Sequence, residues 1–146
     1  MKILTIILLC IGLSGCGGIV YSKSALHKTG DVATVCSMKS VQTTYNILQQ
    51  KIKECYPRKE LRTASGYGGA PYSYYYENIV LSNSAQRTIL LGRPYGEKKT
   101  YQAHFRVVGA KGKCKSKVII TASNSFIKAG QKEATQKWLN GESLCE

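Results

Sequence analysis

Thr100-Tyr101-Gln102-Ala103-His104-Phe105-Arg106-Val107-Val108-Gly109-Ala110-Lys111-Gly112-Lys113-Cys114-Lys115-Ser116-Lys117-Val118-Ile119-Ile120 is the run that decides the fold. Its first half alternates. Tyr101, Ala103, Phe105 and Val107 share one side while Gln102, His104 and Arg106 take the other, as in a strand with one face in a core and one in solvent. Gly109-Ala110-Lys111-Gly112 carries the turn residues of a hairpin. In the second half Cys114, Ser116, Val118 and Ile120 have the inward parity, and Lys115, Lys117 and Ile119 point outward. With Gly109 opposite Gly112, Arg106 lies across from Lys115 and His104 across from Lys117, an arrangement of positive groups that weakens a sheet. Arg106, Lys115 and Lys117, with Lys111 and Lys113 at the tip, therefore form an outward basic stripe. Stability does not ask for this stripe, and an anionic ligand would.

Upstream, Arg87 to Leu91 reads as a strand ending at Gly92, followed by the turn Arg93-Pro94-Tyr95-Gly96-Glu97. Pro71 to Leu81, aromatic and β-branched, is a further strand before the turn Ser82-Asn83-Ser84-Ala85. Tyr72, Tyr74 and Tyr76 share one of its faces and Tyr75 the other. With Tyr67 in the Gly-rich, flexible connection over residues 57–71, these rings are candidates for a recognition patch, because tyrosine joins a rigid apolar face to a polar tip.

Helices flank the strands. From Ser37 to Tyr56, Val41, Tyr45, Leu48, Ile52 and Cys55 recur at spacings of four and three, with Ser37 as N-cap and Pro57 as the stop. A weaker helix runs from Phe126 to Asn140, with Phe126, Ala129 or Gly130, Ala134, Trp138 and Leu139 as candidate buried positions, and Gly141 closes it. The expected fold is α+β: a four-stranded antiparallel meander with an N-terminal and a C-terminal helix packed on one face, over residues 36–146.

The N-terminus has a different character. Lys2, an apolar run from Ile3 too short to span a bilayer, and small residues before Cys16 make an export signal. Leu13-Ser14-Gly15-Cys16 resembles the lipobox of bacterial lipoproteins. That resemblance implies cleavage before Cys16, a lipid on its thiol, and a mature chain that begins there. Residues 1–15 are then a lipoprotein signal peptide, and 16–35, with Gly17, Gly18, Ser22, Ser24, Gly30 and Asp31, a lipidated tether. Gly17 stands where an aspartate would signal inner-membrane retention, so the resemblance implies the outer membrane, periplasmic face. Several acyl chains, at roughly 0.8 kcal/mol per buried CH2, hold firmly where one does not.

Once Cys10 is removed and Cys16 lipidated, Cys36, Cys55, Cys114 and Cys145 remain, an even number suited to disulfides in an oxidising compartment. A continuous first helix would separate Cys36 from Cys55 by about 30 Å, beyond one disulfide. A zinc site fits poorly, since no two cysteines lie within four residues. No metal or cofactor is called for. The whole layout, with Lys53-Glu54-Cys55-Tyr56 closing one helix and Trp138-Leu139-Asn140-Gly141 the other, resembles small proteobacterial lipoproteins of uncharacterised function. That resemblance implies a Cys55–Cys145 bond and leaves Cys36 for Cys114.

The 21 Lys and Arg against 8 Asp and Glu give +13, one unit less without Lys2. Such a charge favours anionic partners: lipid A phosphates, phospholipid head groups, acidic wall polymers or acidic protein faces. Export excludes cytosolic nucleic acid. Catalytic signatures are missing from the sequence. His27 falls in the tether, His104 on an exposed strand face, and no G-x-S-x-G, H-E-x-x-H or paired carboxylate occurs. The sequence thus points to a non-catalytic envelope binding module. Its alternatives are a structural or accessory subunit of an envelope or secretion machine, docking through the tyrosine strand, and an immunity or inhibitor protein.

Overall fold

The computed structural model describes residues 19–65, 68–69, 71–95, 97–143 and 145. The elements run α1 (Lys23–Thr29), β1 (Asp31–Ser37), α2 (Val41–Cys55), β2 (Glu60–Ser65), β3 (Pro71–Tyr76), β4 (Ile79–Asn83), β5 (Thr88–Tyr95), β6 (Lys98–Gly109), β7 (Ser116–Ala122) and α3 (Ser125–Leu139). One antiparallel sheet has the order β1-β7-β6-β5-β4, and β2 and β3 form a separate two-stranded ribbon. The chain is α+β, as expected, with the meander β4 to β7 at its heart. The sheet has five strands and not four, because β1 adds to the β7 edge in register Val35↔Val118.

α2 and α3 share one sheet face, here the inner one. Tyr45, Leu48 and Ile52 of α2 and Ala134, Trp138 and Leu139 of α3 meet Val35, Ile89, Leu91, Phe105, Val107, Val118 and Ile120 in a single core. The amphipathic spacing of α2 places that stripe, and tertiary burial then holds the helix. Its N-cap is Ser40, whose side chain accepts from Thr43 N, and not Ser37. Ser37 belongs to β1, and its buried hydroxyl lies 2.9 Å from that of Thr44, which in turn lies 2.8 Å from that of Ser116. These three hydroxyls satisfy one another and pin the start of α2 to two strands. α3 is capped by Asn124 and closed by Gly141 at φ +92, with Gly141 N donating to Trp138 O and Glu142 N to Lys137 O. Phe126, expected inside, is 86% exposed, because it lies in the first turn before α3 reaches the core.

Three further expectations are corrected. Residues 19–35 are not a tether: Leu26 of α1 is fully buried and β1 pairs along its whole length. The strand expected over 71–81 breaks at Glu77-Asn78, where the buried Asn78 side chain donates to Pro57 O. Its first half pairs with β2 in the segment taken as a flexible connection. Finally, disulfides join Cys36 to Cys114 and Cys55 to Cys145, with Cα–Cα distances of 5.5 and 5.0 Å. These are the pairs the lipoprotein resemblance implies, and Cys36 ends up beside the β6–β7 tip because it sits in a strand and not at a helix end.

Candidate functional site

The sheet face opposite α2 and α3, the outer face, carries the basic stripe. Gly109 pairs with Ser116, not Gly112, so Arg106 lies across from Ile119, Val108 from Lys117, and His104 from Thr121. The direct cation-on-cation opposition expected from the sequence is therefore absent; Arg106 and Lys117 are diagonal neighbours on one face. Within β7 the parity is as expected, with Ser116, Val118 and Ile120 in and Lys117 and Ile119 out. Cys114, expected inward, precedes the strand with the exposed Lys115 and bonds Cys36, which alternates opposite to the buried Val35 and Ser37. Arg106, Lys111, Lys113, Lys115 and Lys117 are all exposed. None of the five forms an ion pair among the described residues; the salt bridges lie elsewhere, as in Lys51–Glu54 and Glu133–Lys137. No outward position of β1, β4, β5, β6 or β7 is an acid, and α1 and the β6–β7 tip contain none. Asp31, at the sheet edge, is 3.9 Å from Lys128 of α3. Among the described residues, the charges at the outward strand positions, on α1 and at the β6–β7 tip are thus all positive.

A β-bulge at Leu91/Gly92 shapes the other end of this face. Leu91 pairs with Ala103 and Gly92 with Tyr101, which leaves Gln102 as the extra residue and turns Tyr101 outward, contrary to simple alternation. There Tyr101 packs with Val20, Leu26 and Leu90 in a second, small apolar cluster beneath α1. Gly92 is required at the bulge, since a Cβ would stand 2.3 Å from Thr100 O.

His104, expected on a solvated strand face, is 4% exposed under α1, and its ring meets that of His27 edge-on at 4.7 Å. Its Nε2 has no hydrogen-bond partner among the described residues. Burial, and then the positive field of Lys23, His27 and Arg106, pull its pKa from 6.5 down to about 4. It is a neutral, enclosed ring at physiological pH. Sequence reasoning missed α1 and β1; the Gly30 break and the β-branched Val32, Thr34 and Val35 were the available signal.

Tyr72, Tyr74, Tyr75 and Tyr76 all fall in β3, opposite Ala64, Arg62, Leu61 and Glu60. Their rings lie outside the described part, as do Tyr67, Cys16 and the segment read as a signal peptide. Next to this ribbon is a cleft of about 810 Å³ that the sequence did not announce. Ile79, Val80 and Leu81 form an apolar wall, and Lys53, Lys98 and the Arg58–Glu77 ion pair stand around it. Arg58 holds the Glu77 carboxyl below its usual range. Among the described residues no group of three metal-ligating side chains converges, and no helix is long and apolar enough to cross a membrane.

No family model and no curated protein matches the chain. Solved structures of similar shape include a Deinococcus radiodurans protein at 10% identity and TM-score 0.44, covering 75% of this chain and 96% of that one. The di-domain aromatase/cyclase BexL of the BE-7585A biosynthetic pathway is 11% identical at TM-score 0.41, covering 80% of this chain and 50% of that one. The Zhui aromatase/cyclase of a Streptomyces species is 10% identical at TM-score 0.36, covering 76% and 84%. Likeness at this level transfers neither activity nor ligand.

Proposed function

We propose that the chain is a lipoprotein of the bacterial envelope, anchored through Cys16 at the periplasmic face of the outer membrane. There it acts as a non-catalytic module whose outer face engages an anionic envelope component. The observation that carries this reading is the outer face itself: five exposed cations without ion-pair partners among the described residues, on a sheet face whose outward strand positions include no acid. Two disulfides support an oxidising compartment. The non-catalytic part is supported by where the histidine on the central strand sits: His104 is 4% exposed beneath α1, against the ring of His27.

Affinity capture of the lipidated protein from membranes, wild type against Lys115→Glu/Lys117→Glu, tests this. Both side chains are exposed, so the variant keeps the fold. Loss of one anionic species from the captured material is the expected result, and identical recoveries would remove the basic face from the account.

A further inference from the structure

We infer that the outer face, with α1 lying across it, is seated on the anionic headgroup layer of the leaflet that holds the Cys16 lipid. This rests on the anchor proposed above and names which anionic component the face meets.

Val20 is already buried: its side chain packs on Leu26 and Leu90, and its carbonyl accepts from Tyr101 N at 2.8 Å. From Cys16 to Val20 is four residue steps, at most about 14 Å of fully extended chain. Five strands are about 19 Å across, and β6, of 12 residues, is about 40 Å long. The tether is therefore shorter than the body it holds, and the surface around Val20 stays within about 14 Å of the lipidated residue, close enough for exposed cations to feel an anionic headgroup layer. Val20 enters on the outer face, not on the helix-covered one.

That face also has the composition of an interfacial surface. Lys23 and Lys28 of α1 are exposed and add to Arg106, Lys115 and Lys117. Among them stand exposed apolar groups: Ile19 beside the tether, Val32 on β1 and Leu81 on β4. Cations interleaved with apolar side chains, with no acid at the outward strand positions or in α1, suit an anionic bilayer surface. The opposite, helical side exposes both signs, with Lys53 beside Glu54 and Lys132 beside Glu133.

The test is lysine footprinting of the membrane-extracted, lipidated protein in vesicles of phosphatidylcholine with and without phosphatidylglycerol, with intact mass read on the same sample. In the anionic vesicles Lys23, Lys28 and Lys117 are expected to acylate at least about fivefold more slowly than Lys53 and Lys132, the factor equivalent to about 1 kcal/mol per cation at an anionic surface. In Arg106→Glu/Lys117→Glu the protection of Lys23 and Lys28 is expected to vanish. Lipid mass present with both faces labelled alike, or with the helical face protected, overturns the seating but leaves the anchor standing. A protein without lipid mass overturns the anchor and the seating together.

Discussion

A neutral ring enclosed under α1 makes His104 a residue at which mildly acidic pH acts on the fold. Its folded pKa, about 4, lies below the ordinary 6.5, so the unfolded chain takes up a proton that the folded one refuses. The stability tied to this residue is complete above pH 6.5 and is lost as pH falls towards 4, by at most about 3 kcal/mol. Denaturant midpoints measured across that range should drop for the wild type and lose most of that slope in His104→Leu; parallel slopes would contradict the assignment. Gly92 is the second residue with a sharp expectation. Gly92→Ala puts a methyl against Thr100 O and should cost about 1–3 kcal/mol, seen as a lowered midpoint. An unchanged midpoint would mean that the bulge tolerates a side chain.

At the scale of elements, the C-terminal helix and the disulfide behind it close the inner core. Trp138→Ala removes a fully buried ring from α3 and should destabilise by about 3–5 kcal/mol. Cys55→Ser/Cys145→Ser opens a bridge spanning 90 residues of sequence and should lower stability by about 2–4 kcal/mol in equilibrium unfolding. The central hairpin, the spacing of α2 and the Gly141 stop were legible because each is a local pattern: period two, period three to four, and a left-handed glycine. The hairpin register was not, since the tip is held by Cys36–Cys114 and by Lys115 N donating to Ser37 O, both contacts with a strand far away in sequence. β1 was obscured by its composition. Its inward residues are Ala33, Val35 and Ser37, two of them small, so the alternation that marked β6 is faint there. His104 was misread for a related reason: α1 is seven residues long and shows a single buried position, Leu26, too little periodicity to announce that it would cover a strand.

For the molecule as a whole, folding separates two surfaces that the sequence only averages into a net charge of +13. Carboxylates gather on the helical side and around the cleft, as with Glu54, Glu77 and Glu133, while the outward strand positions of the outer face carry cations and no acid. Such a face should hold anionic partners in a salt-dependent way, because screening shortens the reach of exposed charges to about 8 Å at physiological ionic strength. Everything proposed for that face depends on the lipid that holds it at a membrane. The most direct measurement is metabolic labelling of growing cells with a clickable palmitate, comparing wild type with Cys16→Ala. Label is expected on the wild-type protein in the membrane fraction and none on the variant. Equal labelling of the two, or an unlabelled wild-type protein with its thiols reduced, would contradict the anchor.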